Sequence, residues 1–286
     1  MVPTPVLILS DNGRVRHLLS LNDLNRDDLQ VLFNRADQFD AGQGPTASGA
    51  AALFFPSSSL RTRVSFERGA AQMGLQPITF PPETLDKDED LIDVAGYLAS
   101  WIDLLVVRHH DINVLRRLAS ADIVPVINAM TAANHPCEVL SDLYAISKTR
   151  DPFGLRFLFV GADGNIARAW CEAGESLGLD IAQSCPEDLR VPGMSWNEDL
   201  SQAIVGADVV ITDGPGPHGE ALASYRITAG LLDTAHRGVQ FAPCPPFVRG
   251  REVAPDAIEH TAFVGHGFKK YLKPMQQAVM SWALAR

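Results

Sequence analysis

The chain has 286 residues, 46% of them hydrophobic and 20% charged, with 34 acids against 24 bases and a formal net charge of −10. This composition excludes a disordered chain, and an acidic surface excludes extended binding to nucleic acid or an anionic membrane, so any basic site is local. The length suits two domains of ordinary size.

In chain order, "VPTPVLIL" near the start is short, carries two prolines and lacks a basic leader, unlike a signal peptide. Leu29, Leu32, Phe33 and Ala36 recur at helical spacing behind a candidate cap, Asn25. "ALFF" reads as a strand and Arg61–Met73 as a helix stopped by Gly74; "PITF" is the next strand. A helix around Leu91–Ser100, the strand "DLLVV", a helix near Val114–Ala119 and the strand "VPVIN" follow. "HPCEVLSDLYAISK" reads as a longer helix with Pro136 in its first turn. After the turn-rich "RDPFG" comes a second series: "LRFLFV", a helix over Asn165–Leu177 ended by Gly178, "LDIA", "ADVVIT", "VQFA" and a late helix. Alternating strands and helices predict an α/β fold of two domains, each a parallel sheet flanked by helices and joined by interdomain helices. The expected boundary lies near residues 148–154. Cys137, Cys171, Cys185 and Cys244 form no C-x-x-C pair, which argues against a zinc or dithiol centre and for a reduced cytoplasmic setting.

Chemistry-bearing residues cluster where strands end, the place at which open parallel sheets bind ligands. "PSSSLRTRVSFE" sets Ser57, Ser58, Ser59, Thr62, Arg61 and Arg63 at a helix start, a site suited to an anion. Arg61 and Arg63 are two apart and face different ways, leaving one free for an ion pair. "LLVVRHHD" puts Arg108 at a strand end, "VINAMTAANHPCE" puts His135 at the mouth of a helix, and "VGADGNIARA" puts Asn165 after a third strand. The last segment is also similar to G-x-G-x-x-G, with Asp180 at a dinucleotide's ribose position; Asp163 at the middle glycine opposes that reading.

"SLRTRVSFE" resembles the S-T-R-T-R-x-S-F-E signature of the aspartate/ornithine carbamoyltransferases. "VVRH" resembles their next arginine motif, "NHPCEVLSDL" their H-P-[CT]-Q-x-L-x-D-L, and "RHLLSLNDLNRDDL" their first helix. The resemblance implies transfer of the carbamoyl group of carbamoyl phosphate to an amine, with release of phosphate and with neither metal nor cofactor. It implies a carbamoyl phosphate-binding domain over 1–148, completed by a C-terminal helix 266–286, and an acceptor-binding domain over 149–265. Ser59, Leu60 (by its backbone), Arg61 and Thr62 would hold the phosphate. Arg108 and His135, with Thr62 close by, would reach the carbonyl oxygen, and Glu138 the carbamoyl NH2. Arg61, Thr62, Arg108 and His135 are the implied catalytic set. Lys87, in "KDEDLIDVAGYL", stands where relatives carry a lysine reaching a neighbouring subunit, implying a homotrimer with shared sites; read alone, the segment is a solvated acidic loop. Asn165, Asp213, His218, Cys244 and Pro245 would meet the acceptor.

The pattern departs in places. Leu60 replaces a threonine, and Glu138 replaces a glutamine, whose charge calls for screening by Arg61 or Arg108. "VVITDGPGPHGE" keeps Thr212, Asp213 and Gly219 of the ornithine branch but sets Pro217 and His218 at its Ser-Met positions. Gly214 and Pro215 after Asp213 make aspartate a poor acceptor. "FAPCPPFVRGREV" keeps Cys244 and Pro246 but has Pro243 and Pro245 for His and Leu. The late arginine has no counterpart in "FKKYLKPMQQAVM"; Lys269, Lys270 and Lys273 are its candidate replacements, or else a solvated helix face. The expected acceptor is an amine-bearing amino acid, ornithine or a specialised relative. A noncatalytic carbamoyl phosphate-binding assembly or regulatory partner is the alternative.

Overall fold

The structure, a computed structural model, describes residues 15–285, so "VPTPVLIL" lies outside the described residues. Two compact units divide the chain: one runs to Cys137 and resumes at Leu272, and the other is Glu138–Tyr271. The division falls in the first turn of a helix, N-terminal to the boundary expected near 148.

The first unit begins with helix α1 (Arg26–Asp40). Asn25 caps it: its side-chain oxygen accepts from the N–H groups of Asp27 and Asp28 at 2.8 and 3.0 Å, and Asp28 accepts from Asn25 N–H at 3.1 Å. The expected face, Leu29, Leu32, Phe33 and Ala36, is buried. Then come β1 (Ala50–Phe54), α2 (Arg61–Met73), β2 (Gln76–Phe80), α3 (Leu91–Leu98), β3 (Leu104–Arg108), α4 (Ile112–Ala119), β4 (Val126–Met130) and α5 (Pro136–Ser147), which enters the second unit. Gly74 ends α2 at a φ of 98°, a left-handed geometry in which a β-carbon would strike the Ala47 carbonyl. Asp103 stays outside β3 because its carboxylate accepts the Ala50 N–H at 3.0 Å. The four parallel strands lie in the order β2-β1-β3-β4. The order in which strands are added therefore switches direction between β1 and β3, and the loops leaving those two strands diverge at their carboxyl ends.

The C-terminal helix, Leu272–Leu284, belongs to this unit and packs on α1 and α2. Gln277 donates to the Gly69 carbonyl at 3.2 Å, and a β-carbon on Gly69 would lie 3.1 Å from Gln277 Cγ. The late helix expected over 266–286 is thus two helices, because Pro274 is tolerated only in a first turn and prevents continuation from upstream.

The second unit holds β5 (Arg156–Val160), α6 (Asn165–Leu177), β6 (Asp180–Ser184), β7 (Ser195–Trp196), α7 (Leu200–Ala203), β8 (Val209–Thr212), α8 (Ala229–Thr234), β9 (Gln240–Pro243), α9 (Pro255–Glu259) and α10 (Gly265–Lys269). Its parallel sheet has the order β7-β6-β5-β8-β9, with the same switch between β5 and β8. Gln183, fully buried, holds the β5 exit: it donates to the Gly161 carbonyl at 2.8 Å and accepts from Val191 N–H at 2.7 Å. No helix among the described residues is long and apolar enough to cross a membrane.

Candidate active site

In the first unit, two of the sequence motifs meet at the carboxyl ends of β1 and β3. The loop after β1 delivers Ser59 (3% exposed) and Thr62 (6% exposed) at the start of α2. Leu60 takes the N-cap position without a side-chain hydrogen bond, so the positive end of α2 is not covered by its own cap. Leu60 and Arg61 are exposed. Arg63 is spent on Glu67, 2.7 Å away one turn on. From β3, Arg108 donates to Ser59 Oγ at 3.2 Å. The β3–β4 register shifts between Val107 and Arg108, an irregularity that re-aims the side chain at the strand end.

His135 stands at the end of the β4–α5 loop and is 6% exposed. A buried polar network shapes that loop: Asn128 Nδ2 donates to Asn134 Oδ1 at 2.6 Å, Thr131 Oγ1 accepts from the N–H groups of Ala133 and Asn134, and Asn134 Nδ2 donates to the Leu19 carbonyl. His109, adjacent to Arg108, is also buried. Its Nδ1 accepts from Asp111 N–H at 3.1 Å, which leaves Nε2 to donate to Asp86 at 2.9 Å. Asp86 precedes Lys87, so this bond ties the base of the exposed Lys87 loop to β3. Sequence reading missed His109 and Asp86, although "RHHD" and "LDKDED" both displayed them.

The second unit gathers another set. Glu138 and Asp142 are one turn apart on α5 and both buried. Lys269, at the end of α10, places Nζ 2.6 Å from Glu138 Oε1 and 2.6 Å from Asp142 Oδ1. The lysine is therefore no part of a solvated face, and within this unit the cation that meets Glu138 is a lysine. Two adjacent carboxylates hold Lys269 well above its ordinary value against the effect of burial. Asp142 is pushed up to about 6 by burial, with Lys269 opposing and Glu138 adding. Lys270 lies over the Tyr271 ring and Lys273 donates to Gln72, so neither shares this role.

Cys244, after β9, is buried with Sγ 3.8 Å from Glu138 Oε1, and its N–H donates to the Thr212 carbonyl at 2.7 Å. Burial, followed by the charge of Glu138, holds its thiol protonated. Pro245 follows it, half-buried, in a cis peptide with Pro246. Asn165 opens α6 behind the Gly164 cap. His218 ends a short turn, Gly216–His218, and its N–H donates to the Pro215 carbonyl at 2.9 Å. Asp163 is committed to Arg168 at 2.6 Å, which fills the place a dinucleotide-binding glycine would leave open. Among the described residues no cluster of three His, Cys, Asp or Glu could hold a metal, and all four cysteines are free thiols.

Asp213 projects from the carboxyl end of β8, beside the β5–β8 switch, into a cavity of about 280 Å³ that Gly161, Arg226, Arg251 and Glu252 also line. Its carboxylate accepts from Gly214 N–H at 2.8 Å. Burial pushes its pKa up to about 6, with the charges of Glu138 and Glu252 adding. Because the folded value exceeds that of a free aspartate, the folded state binds the extra proton, and stability is lost as pH rises from about 4 through 6. Asp213→Asn is therefore expected to be more stable than the parent by about 1–3 kcal/mol at pH 7. The advantage vanishes below pH 4. Urea melts at the two pH values check this; equal shifts at both would refute it.

The family model described as "Aspartate/ornithine carbamoyltransferase, carbamoyl-P binding domain" matches residues 16–148. The ornithine carbamoyltransferase of Geobacter sulfurreducens is 30% identical over 276 residues, covering 86% of this chain and 91% of the relative. That of Methanothermobacter thermautotrophicus is 31% identical over 304 residues, covering 94% and 99%. Among solved structures, the ornithine carbamoyltransferase of Burkholderia thailandensis superposes with a TM-score of 0.87 at 26% identity, covering 94% of this chain and 99% of the other. That of Pyrococcus furiosus gives 0.86 at 26%, covering 94% and 96%. With the donor motifs in place at the ends of β1, β3 and β4, these likenesses carry one conclusion: the chain belongs to the aspartate/ornithine carbamoyltransferase family, on its ornithine side, and is a carbamoyltransferase.

Proposed function

We propose that the enzyme moves the carbamoyl group of carbamoyl phosphate to the primary amine of an amino acid, ornithine or a close relative of it. The observation that carries the reading is the junction at the carboxyl ends of β1 and β3, where Ser59 and Arg108 meet at 3.2 Å beside the positive end of α2. In this reading the first turn of α2, with Ser59, Arg61 and Thr62, grips the phosphate, and Leu60 contributes its backbone N–H alone. Arg108, His135 and the Thr62 hydroxyl donate to the carbonyl oxygen. The neutral amine attacks the carbonyl carbon, a C–N bond forms, and negative charge gathers on that oxygen where fixed donors stabilise it. The C–O bond to phosphate then breaks, and phosphate leaves with the proton shed by the amine. Glu138 accepts from the carbamoyl NH2. Holding two substrates in line supplies much of the remaining acceleration.

The donor domain is 1–148 with 266–286, and 149–265 receives the acceptor through Asn165, Asp213, His218, Cys244 and Pro245. Cys244, protonated, serves as a hydrogen-bonding wall and not as a nucleophile. Lys87 reaches a neighbouring copy in a homotrimer. Supporting this, Tyr97 and Trp101, just beyond the Lys87 loop, are 65% and 71% exposed, large apolar groups suited to a subunit contact. Four free thiols fit a reducing cytoplasm.

Phosphate release from carbamoyl phosphate, measured across a panel of amino acids and diamines with mass spectrometry of the products, tests the reading. One amino acid is expected to accelerate release and gain a carbamoyl group. Release that no amine accelerates contradicts it.

A further inference from the structure

Glu138 brings a charge to a position at which the family motif has a neutral glutamine, and the second unit answers it from the other end of its own sequence. Glu138 lies in the first turn of α5, and Asp142, one turn on, sets its carboxylate on the same face. Lys269, the last residue of α10, puts Nζ 2.6 Å from Glu138 Oε1 and 2.6 Å from Asp142 Oδ1. The side chains of Lys269, Glu138 and Asp142 are 16%, 7% and 3% exposed, so water does not stand in for these contacts. An ammonium has three donors and no acceptor, and here two carboxylates engage it at once. Asp142 therefore fixes the ammonium, and the ammonium fixes the turn of the Glu138 carboxylate. Charge-assisted bonds of this kind are stronger than those a neutral glutamine forms. A carboxylate has two oxygens and about four acceptor directions, so holding one ammonium does not exhaust it. Unlike a glutamine amide, it accepts only.

We propose that Lys269 is a positioning residue for the carbamoyl donor: braced on Asp142, it aims the Glu138 carboxylate at the carbamoyl NH2 group and offsets a negative charge that would otherwise oppose phosphate. The inference rests on the reading that carbamoyl phosphate is the donor and that Glu138 accepts from its NH2 group. It adds a residue outside the donor motifs that acts through Glu138, and it sets a selectivity. Acetyl phosphate has the shape and the phosphate of the proposed donor but carries a methyl where carbamoyl phosphate carries NH2. An aimed carboxylate loses water to that methyl and gains no hydrogen bond, so the enzyme discriminates against acetyl phosphate.

The test is binding of carbamoyl phosphate, acetyl phosphate and inorganic phosphate to the intact enzyme without acceptor, by titration calorimetry on fresh solutions, with circular dichroism to verify folding. The wild type is expected to bind carbamoyl phosphate about tenfold or more tightly than acetyl phosphate, the effect of one hydrogen bond to a charged group. Lys269→Met should reduce that ratio to about threefold or less. Lys269→Arg, whose planar fork can serve both carboxylates, should keep most of it. The ratio is the decisive readout, because a loss of folded protein weakens all three ligands together and leaves it unmoved. Should Lys269→Met not fold, Lys269→Gln, which keeps a donor without the charge, takes its place and should lower the ratio severalfold. A ratio that stays at the wild-type value in the Met or Gln variant overturns the proposal, as does a wild type that does not favour carbamoyl phosphate over acetyl phosphate. An enzyme that binds none of the three ligands contradicts the carbamoyl phosphate reading itself, and the proposal with it. Amine-dependent phosphate release with an unmoved ratio sinks only the role of Lys269.

Discussion

Replacing His135 with alanine is expected to lower kcat by about 10²–10³, the usual effect of removing one fixed donor from a developing oxyanion. The loop that presents the ring is held by Asn128, Thr131 and Asn134 through bonds that do not use the imidazole. The loss therefore belongs to the chemical step, with the KM for carbamoyl phosphate changed far less than kcat. Arg108→Gln should match the kcat loss and also raise that KM, because Arg108 contacts Ser59 on the phosphate side as well. Steady-state kinetics with circular dichroism to verify folding decides it. A His135→Ala enzyme within threefold of wild-type kcat would remove the residue from the mechanism.

Lys269→Met should strongly destabilise the second unit. The lysine meets two buried carboxylates at 2.6 Å each, and its loss takes the shared ammonium from Glu138 and Asp142, one turn apart. Breaking such a buried arrangement by removing one partner costs about 3–5 kcal/mol. The pH dependence has a definite sign. Burial already raises Asp142 to about 6 with the lysine in place, and removing that opposing charge raises it further, so the folded variant takes up a proton and its deficit shrinks as pH falls from 7 towards 5. Denaturant melts at both pH values measure this. Lys269→Met combined with Glu138→Gln should recover part of the loss, since two adjacent buried carboxylates become one. A single variant as stable as the parent at pH 7 would show that the triad contributes no stability.

These two sites also show what could and could not be read from the chain. The strands of both sheets other than β7 were visible as apolar runs because parallel strands covered on both faces leave no room for polar alternation. Asn25 and Gly74 marked helix ends through local chemistry, and Arg63–Glu67 was accessible as a one-turn spacing. The residues proposed to hold carbamoyl phosphate were singled out by motif, and their positions at the ends of β1, β3 and β4 follow from strand order. Lys269 was not legible as a buried group: its partner Glu138 lies 131 residues away, and a lysine in "FKKYLK" looks like any solvated basic stretch. Arg226 and Arg251 escaped notice for a similar reason, since only the fold brings them to the cavity that Asp213 lines. The irregularity that aims Arg108 is a property of pairing with β4 and leaves no local signal. The two-residue strand β7 and the short helices α7 to α10 are too brief to show a period.

The measurement that bears most directly on the central claim is carbon NMR of carbamoyl phosphate labelled at its carbonyl carbon, followed with enzyme and the amino-acid panel. The labelled carbon is expected to move into a new ureido group on one amino acid, with stoichiometric phosphate, and His135→Ala is expected to suppress the signal. Label that appears only in the products of spontaneous breakdown, at the same rate with and without enzyme and every acceptor, would contradict it.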